Sequence, residues 1–202
     1  MDANRLPIDV PGLEGEFQRV EVRRSSRRRK TVSAEIVGEA LIVSLPERLS
    51  RAEEHEWVQL MTSRMSERRR RDRLNSDDLL ARRAAELSDR YLGGVRPSSI
   101  EWVSNQRSRW GSCSPDDGSI RLAVALADFP GWVRDYVLVH ELAHLLVPGH
   151  GPEFWVEVER YPRTERARGY LEGVSATAGL GLSDDDPDGG APADGSLPFD
   201  DA

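Results

Sequence analysis

Three histidines and one glutamate stand close together in this chain, at His140, Glu141, His144 and His150. On a helix with ~3.6 residues per turn, His140 and His144 project from one face, so both imidazoles can reach the same cation. Pro148-Gly149 would end that helix and turn the chain back, which can bring in His150 as a third ligand. Glu141 can hold a water beside the metal without binding the metal itself. The pattern predicts a catalytic zinc site, since a structural site would have four protein ligands.

Two alternatives stay open at the level of the sequence. A histidine on an apolar helix is often a core residue with satisfied hydrogen bonds, and Glu153 is a rival to His150 as the third ligand. The helix is apolar around the histidines, however, and burying polar rings there is costly unless a metal or other partners satisfy them. Three of the four histidines of the chain also fall in this one segment, which favours the metal site.

The hydrophobic pattern predicts the elements that must position these side chains. Ser50-Arg51-Ala52-Glu53 has the form of a capping box and marks the start of the first helix. We predict strands near 20–22, 32–36 and 41–45 forming a small antiparallel sheet, helices over 50–73 and 75–93, strands at 100–102 and 120–124, the metal helix over 131–147, and helices over 152–160 and after 164. This order of elements indicates an α+β fold with an N-terminal β-rich segment.

A length of 202 residues fits one domain with short appendages. We predict a flexible arm over 1–14, a domain over 15–178 and a disordered acidic tail over 179–202. Within the domain, 15–74 would hold the β-rich segment and first helix, and 75–178 the catalytic core. The net charge of −7 equals the seven aspartates of the last 22 residues, so the rest of the chain is formally neutral.

No apolar run approaches the roughly 20 residues that a membrane span requires, and the N-terminus lacks the apolar stretch of a signal peptide. We therefore expect a soluble cytoplasmic protein without a membrane partner. Cys113 is the only cysteine, so an intrachain disulfide is excluded. Without a base assigned to it by the sequence, Cys113 is also a poor candidate for a nucleophile or an additional metal ligand.

Four segments resemble the YgjP-like zinc metallopeptidases, which are related to the SprT-like and WLM families. They are RWGSCS at 109–114, GSIRL at 118–122, DYVLVHELAHL at 135–145, and His150 with Phe154-Trp155. The resemblance covers roughly 18–165 and implies a zincin-like core, with the metal helix packed under a small sheet, three histidine ligands, zinc and a glutamate base. Ala123 stands where the family usually has Asn, and a hairpin expected before the first helix is missing.

The RWGSCS segment also supplies candidates for substrate binding, namely Arg109, Trp110 and Ser112, because it combines donors with a glycine that permits close backbone approach. The alternative is a structural turn in which Trp110 packs on the core. Tyr136 lies four residues before His140 on the same helical face, where it would support the metal shell, contact substrate or fill the core.

Two further candidates come from topology and charge. The strand at 119–124 is a candidate edge for an extended substrate, and Asp135 for orienting a ligand imidazole. The arginine-rich runs at 23–30 and 64–73 are candidates for phosphate or nucleic-acid contact, although such runs are more often solvated faces.

The preferred function is a zinc-dependent metallopeptidase in which Glu141 takes a proton from the water that attacks a peptide carbonyl. A polypeptide is then the expected partner, while the sequence does not predict the oligomeric state. The first alternative is a nucleoside triphosphate pyrophosphatase using the same metal site, with Arg107, Arg109 or Arg121 holding phosphates. The second is a nucleic-acid-associated zinc protein without catalysis.

Overall fold

A computed structural model describes residues 5–8, 17–106 and 109–178 of the chain. The described residues divide into two compact units, one up to residue 69 and the other from residue 70 onwards, so the boundary falls inside the first long helix. The predicted acidic tail over 179–202 lies outside the described residues. Within the predicted N-terminal arm, Arg5–Ile8 form a strand, β1.

The first unit is built on a four-stranded sheet in the order β1-β2-β4-β3. After β1, its strands are β2 (Arg19–Ser25), β3 (Ser33–Val37) and β4 (Ala40–Pro46). The N-terminal sheet was expected to be antiparallel, but β2 and β4 are parallel, which makes the sheet mixed. The reason is that β3 folds back on the far side of β4, so that β4 lies between β2 and β3. All seven residues of β4 are buried, as expected for a central strand.

Helix α1 (Arg51–Leu74) begins at the predicted capping box. The backbone N–H of Ser50 donates to the Glu53 carboxylate at 2.8 Å, and the backbone N–H of Glu53 donates to the Ser50 hydroxyl at 3.3 Å. Val58 on this helix is fully buried against the strand residues Val22, Leu41 and Val43. The helix therefore closes the core of the first unit.

The second unit contains a three-stranded sheet in the order β5-β7-β6. Its elements are α2 (Leu79–Tyr91), β5 (Ser99–Val103), β6 (Gly111–Ser114), β7 (Ser119–Ala123), a 3-10 helix (Val124–Asp128), α3 (Gly131–Ala143), α4 (Pro152–Val158) and α5 (Thr164–Ala178). Strand β7 is parallel to β5 and antiparallel to β6. Helix α3 contacts α2, α4, α5 and β6, which places it in the centre of this unit. The α+β class and the packing of the metal helix on a small mixed sheet are confirmed.

Three local expectations were wrong. Strand β7 is the central strand of its sheet, so the expected substrate edge at 119–124 is already paired on both sides, and the edges are β5 and β6. Strand β6 was missed, since no element was predicted between the strands at 100–102 and 120–124, because GSCS is too short and polar to show an alternating pattern. Helix α3 ends at Ala143 and not at 147, and a turn follows in which Val147 N–H donates to the Ala143 carbonyl at 2.9 Å. No helix in the described part of the chain is long and apolar enough to cross a membrane.

Candidate metal centre

Helix α3 carries the predicted site because its second half is buried on every side. All residues from Tyr136 to Ala143 are buried, and His140 and Glu141 are only 4% and 5% exposed. The apolar residues around them, such as Leu138 and Leu142, explain why this helix is central. Two polar side chains are thereby held in the interior, where each needs a partner.

His140, His144 and His150 converge in the folded chain. One nitrogen from each ring lies within 4.8 Å of those of the other two, and Nε2 of His140 is 3.1 Å from Nε2 of His150. Gly149 adopts a positive φ of 76°, which turns the chain back after α3 and brings His150 to the other two rings. Glu153, the rival third ligand, is exposed and does not belong to this group. The geometry therefore favours His150 as the third ligand.

Phe154, whose role the sequence analysis missed, packs against all three imidazoles. Its ring stacks on His144 with centroids 4.3 Å apart, and it meets His140 and His150 edge-on at 4.9 and 4.8 Å. The ring centroid of Trp155 lies 6.1 Å from that of His140 and 6.2 Å from that of His150. Pro152 at the start of α4 fixes the beginning of the helix that presents both aromatic rings. The only signal in the sequence was the pair of aromatic residues four and five positions after His150.

The protonation states of His140 and His144 suit a metal ion as well as their positions do. Burial lowers the pKa of His140 well below its ordinary value, and the charges of His144 and His150 act in the same direction. Burial, with a smaller contribution from His150, lowers the pKa of His144 to about 4. Both rings are therefore neutral near pH 7 and can offer a lone pair to a cation.

The hydrogen bonding of His140 supports the same conclusion. Nδ1 of His140 is buried without a hydrogen-bond partner among the described residues, and its Nε2 faces another imidazole. A cation bound among the facing nitrogens would satisfy Nε2 of His140 and offset part of the free-energy cost of burying this ring, whereas it could not reach Nδ1 of the same ring. Three imidazole nitrogen donors form a set that suits zinc among the common metals.

Glu141 directly follows His140 on α3 and is not part of the histidine cluster. Its side chain extends from α3 towards the first residue of β6, and the group of mutually close ligand atoms does not include its carboxylate. That placement is the one expected for a residue that handles a proton next to a metal without binding the metal. The roles of Glu141 and the histidines remain the predictions made from the sequence.

The four residues predicted to bind substrate differ from one another in burial and contacts. Trp110 is only 3% exposed and packs against Phe129 with ring centroids 5.1 Å apart. It is therefore a core residue, which was the alternative to substrate binding. Tyr136 is fully buried, and the centroid of its ring lies 6.0 Å from that of the His140 ring, so it is a core residue that contacts this imidazole. Ser112 accepts a hydrogen bond from Nε2 of Gln106 at 2.7 Å. Arg109 is partly exposed and therefore remains available to a ligand.

Two further titratable side chains, those of Asp135 and Cys113, do not belong to the histidine cluster. Asp135 forms an ion pair with Arg83 at 2.7 Å, and no described hydrogen bond links it to an imidazole of the cluster. Burial, together with the negative charges of Glu141 and Asp117, raises the pKa of the Cys113 thiol to about 12. Cys113 is therefore protonated at neutral pH, which agrees with its exclusion as a nucleophile.

Comparison with known proteins identifies the segment that contains this site. Residues 75–173 match the family model described as YgjP-like, metallopeptidase domain. Among solved structures, the chain is similar to the metallopeptidase zymogen abylysin of Pyrococcus abyssi, with 26% identity and a TM-score of 0.44 over 52% of this chain and 100% of that one. No curated protein sequence matches the chain. The segment that matches the YgjP-like metallopeptidase domain, residues 75–173, contains the three histidines and Glu141.

Proposed function

We propose that this protein is a zinc-dependent metallopeptidase that uses His140, His144 and His150 as ligands and Glu141 as the general base. The observation that carries the proposal is the convergence of three imidazoles, with a buried glutamate directly after the first of them on α3 that is not in the ligand group. A structural zinc would require a fourth protein ligand, and the described residues bring only three candidate ligand atoms together. The fourth position is then available to water and substrate.

Each protein group has a separate task in this proposal. The three histidines hold the cation, and Phe154 and Tyr136 hold the imidazole rings in place. When bound, zinc supplies a Lewis acid that lowers the pKa of water and polarises a carbonyl. The Glu141 carboxylate accepts a proton from the attacking water and returns it to the leaving amine. Burial of Glu141 keeps bulk water away from that proton transfer.

Strand β6 suits an extended polypeptide as the substrate. Its inner edge pairs with β7, and within the described part of the chain its outer edge has no strand partner. Gly111, at the start of β6, lies directly against Glu141. A polypeptide that added to this edge by backbone hydrogen bonds would pass close to the general base. This replaces β7, which is paired on both sides, as the proposed substrate edge.

The phosphoanhydride alternative receives no specific support from the arginines assigned to it. Arg121 is paired across strands with Ser112, whereas its neighbours Ile120 and Leu122 are buried in the core that includes α3. Because side chains alternate along a strand, Arg121 lies on the opposite face of the sheet, where it pairs with Glu101 at 3.5 Å. Arg107 lies outside the described residues, and Arg109 alone does not form a phosphate clamp.

A turnover screen tests the proposal. The zinc-loaded protein is incubated with unfolded polypeptides and, separately, with nucleoside triphosphates, and the Glu141→Gln variant is the blank in both arms. We expect peptide cleavage that disappears in the blank. Hydrolysis of triphosphates without peptide cleavage would overturn the assignment in favour of the pyrophosphatase, and zinc binding without turnover would favour an adaptor.

A further inference from the structure

Because Gly111 has no side chain, the space next to its Cα is occupied by the side chain of Glu141. A Cβ atom built on Gly111 would lie 2.4 Å from Oε1 of Glu141 and 2.8 Å from both Cδ and Cγ. Non-bonded carbon atoms rest at about 3.5–4.0 Å, so these separations are overlaps and not contacts. Any residue other than glycine at position 111 would therefore compete with Glu141 for the same volume.

The backbone of Gly111 does not itself require a glycine. Among the described residues, glycines with positive φ are Gly38, Gly93, Gly94, Gly118 and Gly149. Gly111 is instead an ordinary strand residue, paired with Leu122 in the antiparallel ladder of β6 and β7. Its useful property is thus the missing side chain and not its conformational freedom.

The structure on both sides of this contact is held in place. Next to Gly111, Trp110 is buried, and its carbonyl accepts a hydrogen bond from the Ala123 N–H at 2.9 Å. On α3, the neighbours Leu142 and Ala143 are fully buried. Shifting the strand or the helix would disturb this packing, because protein interiors are packed as densely as organic crystals. The Glu141 side chain is the part that can change rotamer at the lowest cost.

We propose that Gly111 is a positioning residue for Glu141, whose carboxylate is held between α3 and the bare Cα at the start of β6. This inference rests on the proposed function, because Glu141 is taken as the general base. It gives the RWGSCS segment a defined task, since its glycine lets the sheet approach the metal helix closely enough to fix the base. A side chain at this position displaces the base while leaving the three histidine ligands in place.

The first test measures the contact in the metal-free full-length protein. Gly111→Ala is introduced both into the native sequence and into a Glu141→Ala background, and the four melting temperatures are compared. We expect Gly111→Ala to lower the melting temperature by about 2–10 °C in the native sequence, because overpacking a buried site is destabilising. In the Glu141→Ala background we expect little change, since the overlapping atoms are gone. An equal effect in both backgrounds, including none in either, overturns the inference.

The second test measures the consequence for turnover. Zinc-loaded Gly111→Ala should retain its metal and its KM for a polypeptide substrate, while kcat falls by about 10–10²-fold because the base is displaced and not removed. Gly169→Ala on α5 is the matched control, since a Cβ there meets nothing within 4 Å, and it should keep native turnover.

The two tests separate this inference from the proposed function. If Glu141→Gln loses turnover but Gly111→Ala keeps native kcat, the inference is wrong and the proposed function stands. If Glu141→Gln keeps its turnover, the proposed function is wrong, and the melting temperatures of the metal-free variants still decide whether Gly111 holds Glu141 in place.

Discussion

At the scale of single residues, Glu141 is deeply buried and directly follows the candidate ligand His140 on α3. Glu141→Gln keeps the size and helical fit of the side chain but removes its ability to accept a proton. We expect folding and zinc content to survive, while kcat falls by about 10²–10⁴-fold, as is typical when a positioned general base is lost. Metal analysis and peptide-cleavage kinetics on the same preparation check both parts.

Two results would contradict the role assigned to Glu141. Near-native turnover with zinc retained would place the proton transfer elsewhere. Loss of zinc from Glu141→Gln would instead make Glu141 part of the metal shell.

The choice of third ligand is a separate question, because the sequence left both His150 and Glu153 open. His150 contributes a nitrogen 3.1 Å from that of His140, whereas Glu153 is exposed outside the cluster. We expect His150→Ala to lose zinc to a chelator far more readily than Glu153→Ala, since only the former removes a metal–ligand bond. Dialysis against graded chelator followed by metal analysis checks the order, and the reverse ranking would transfer the ligand role to Glu153.

The sequence predicted the convergent histidines because they lie within one short segment, in which the spacing of His140 and His144 and the turn at Pro148-Gly149 before His150 are local properties. It did not predict Phe154 as a contact of all three rings, nor Gly111 as the neighbour of Glu141. Both contacts join elements that are distant in the chain or separated by a turn. A residue pattern carries no information on such a contact until the packing of α3 against β6 and α4 is known.

At the scale of elements, a side chain in the connection between α1 and α2 takes the place of a neighbouring strand at the edge of β5. Asn75 donates from Nδ2 to the Trp102 carbonyl at 2.9 Å and accepts from the Trp102 N–H at 2.9 Å through Oδ1. These are the two hydrogen bonds that a neighbouring strand would make with β5. The sequence indicated a helix start near Asn75, but α2 begins at Leu79, because the Asn75 amide is used to cover the edge of β5.

Asn75→Ala should therefore destabilise the second unit by about 1–2 kcal/mol, the net value of two partly solvated hydrogen bonds. Urea unfolding of the full chain measures the change. Ser76→Ala is the control, since the Ser76 hydroxyl donates only to the nearby Arg73 carbonyl and does not reach β5. Equal stability of Asn75→Ala and Ser76→Ala would show that water replaces the Asn75 amide without a loss of unfolding free energy.

At the scale of the whole molecule, the order of hydrophobic patterns predicted the α+β class and a subdivision of the domain after residue 74, five residues from the boundary between the two units after Arg69. It did not predict the topology of the first sheet, which depends on long-range pairing, such as the parallel register of β2 with β4 and the pairing of β1 with β2. Four residues in β1 are too few to show an alternating pattern, and the direction of pairing is not encoded in the pattern of one strand. The site is therefore more predictable than the architecture around it.

The last prediction uses this division, because all three candidate ligands belong to the second unit. A ligand that binds only the folded state stabilises it by about 2.7 kcal/mol at a concentration 100 times its Kd. Adding zinc to the metal-free full chain should therefore slow amide hydrogen exchange in α3, α4 and β6 strongly, and in β2 and β4 much less. Mass spectrometry of peptic peptides checks this, with His150→Ala as the control that should show no zinc effect in either unit. Equal protection of both units would mean that they unfold as a single cooperative body, and protection confined to the first unit would place the metal away from the histidines.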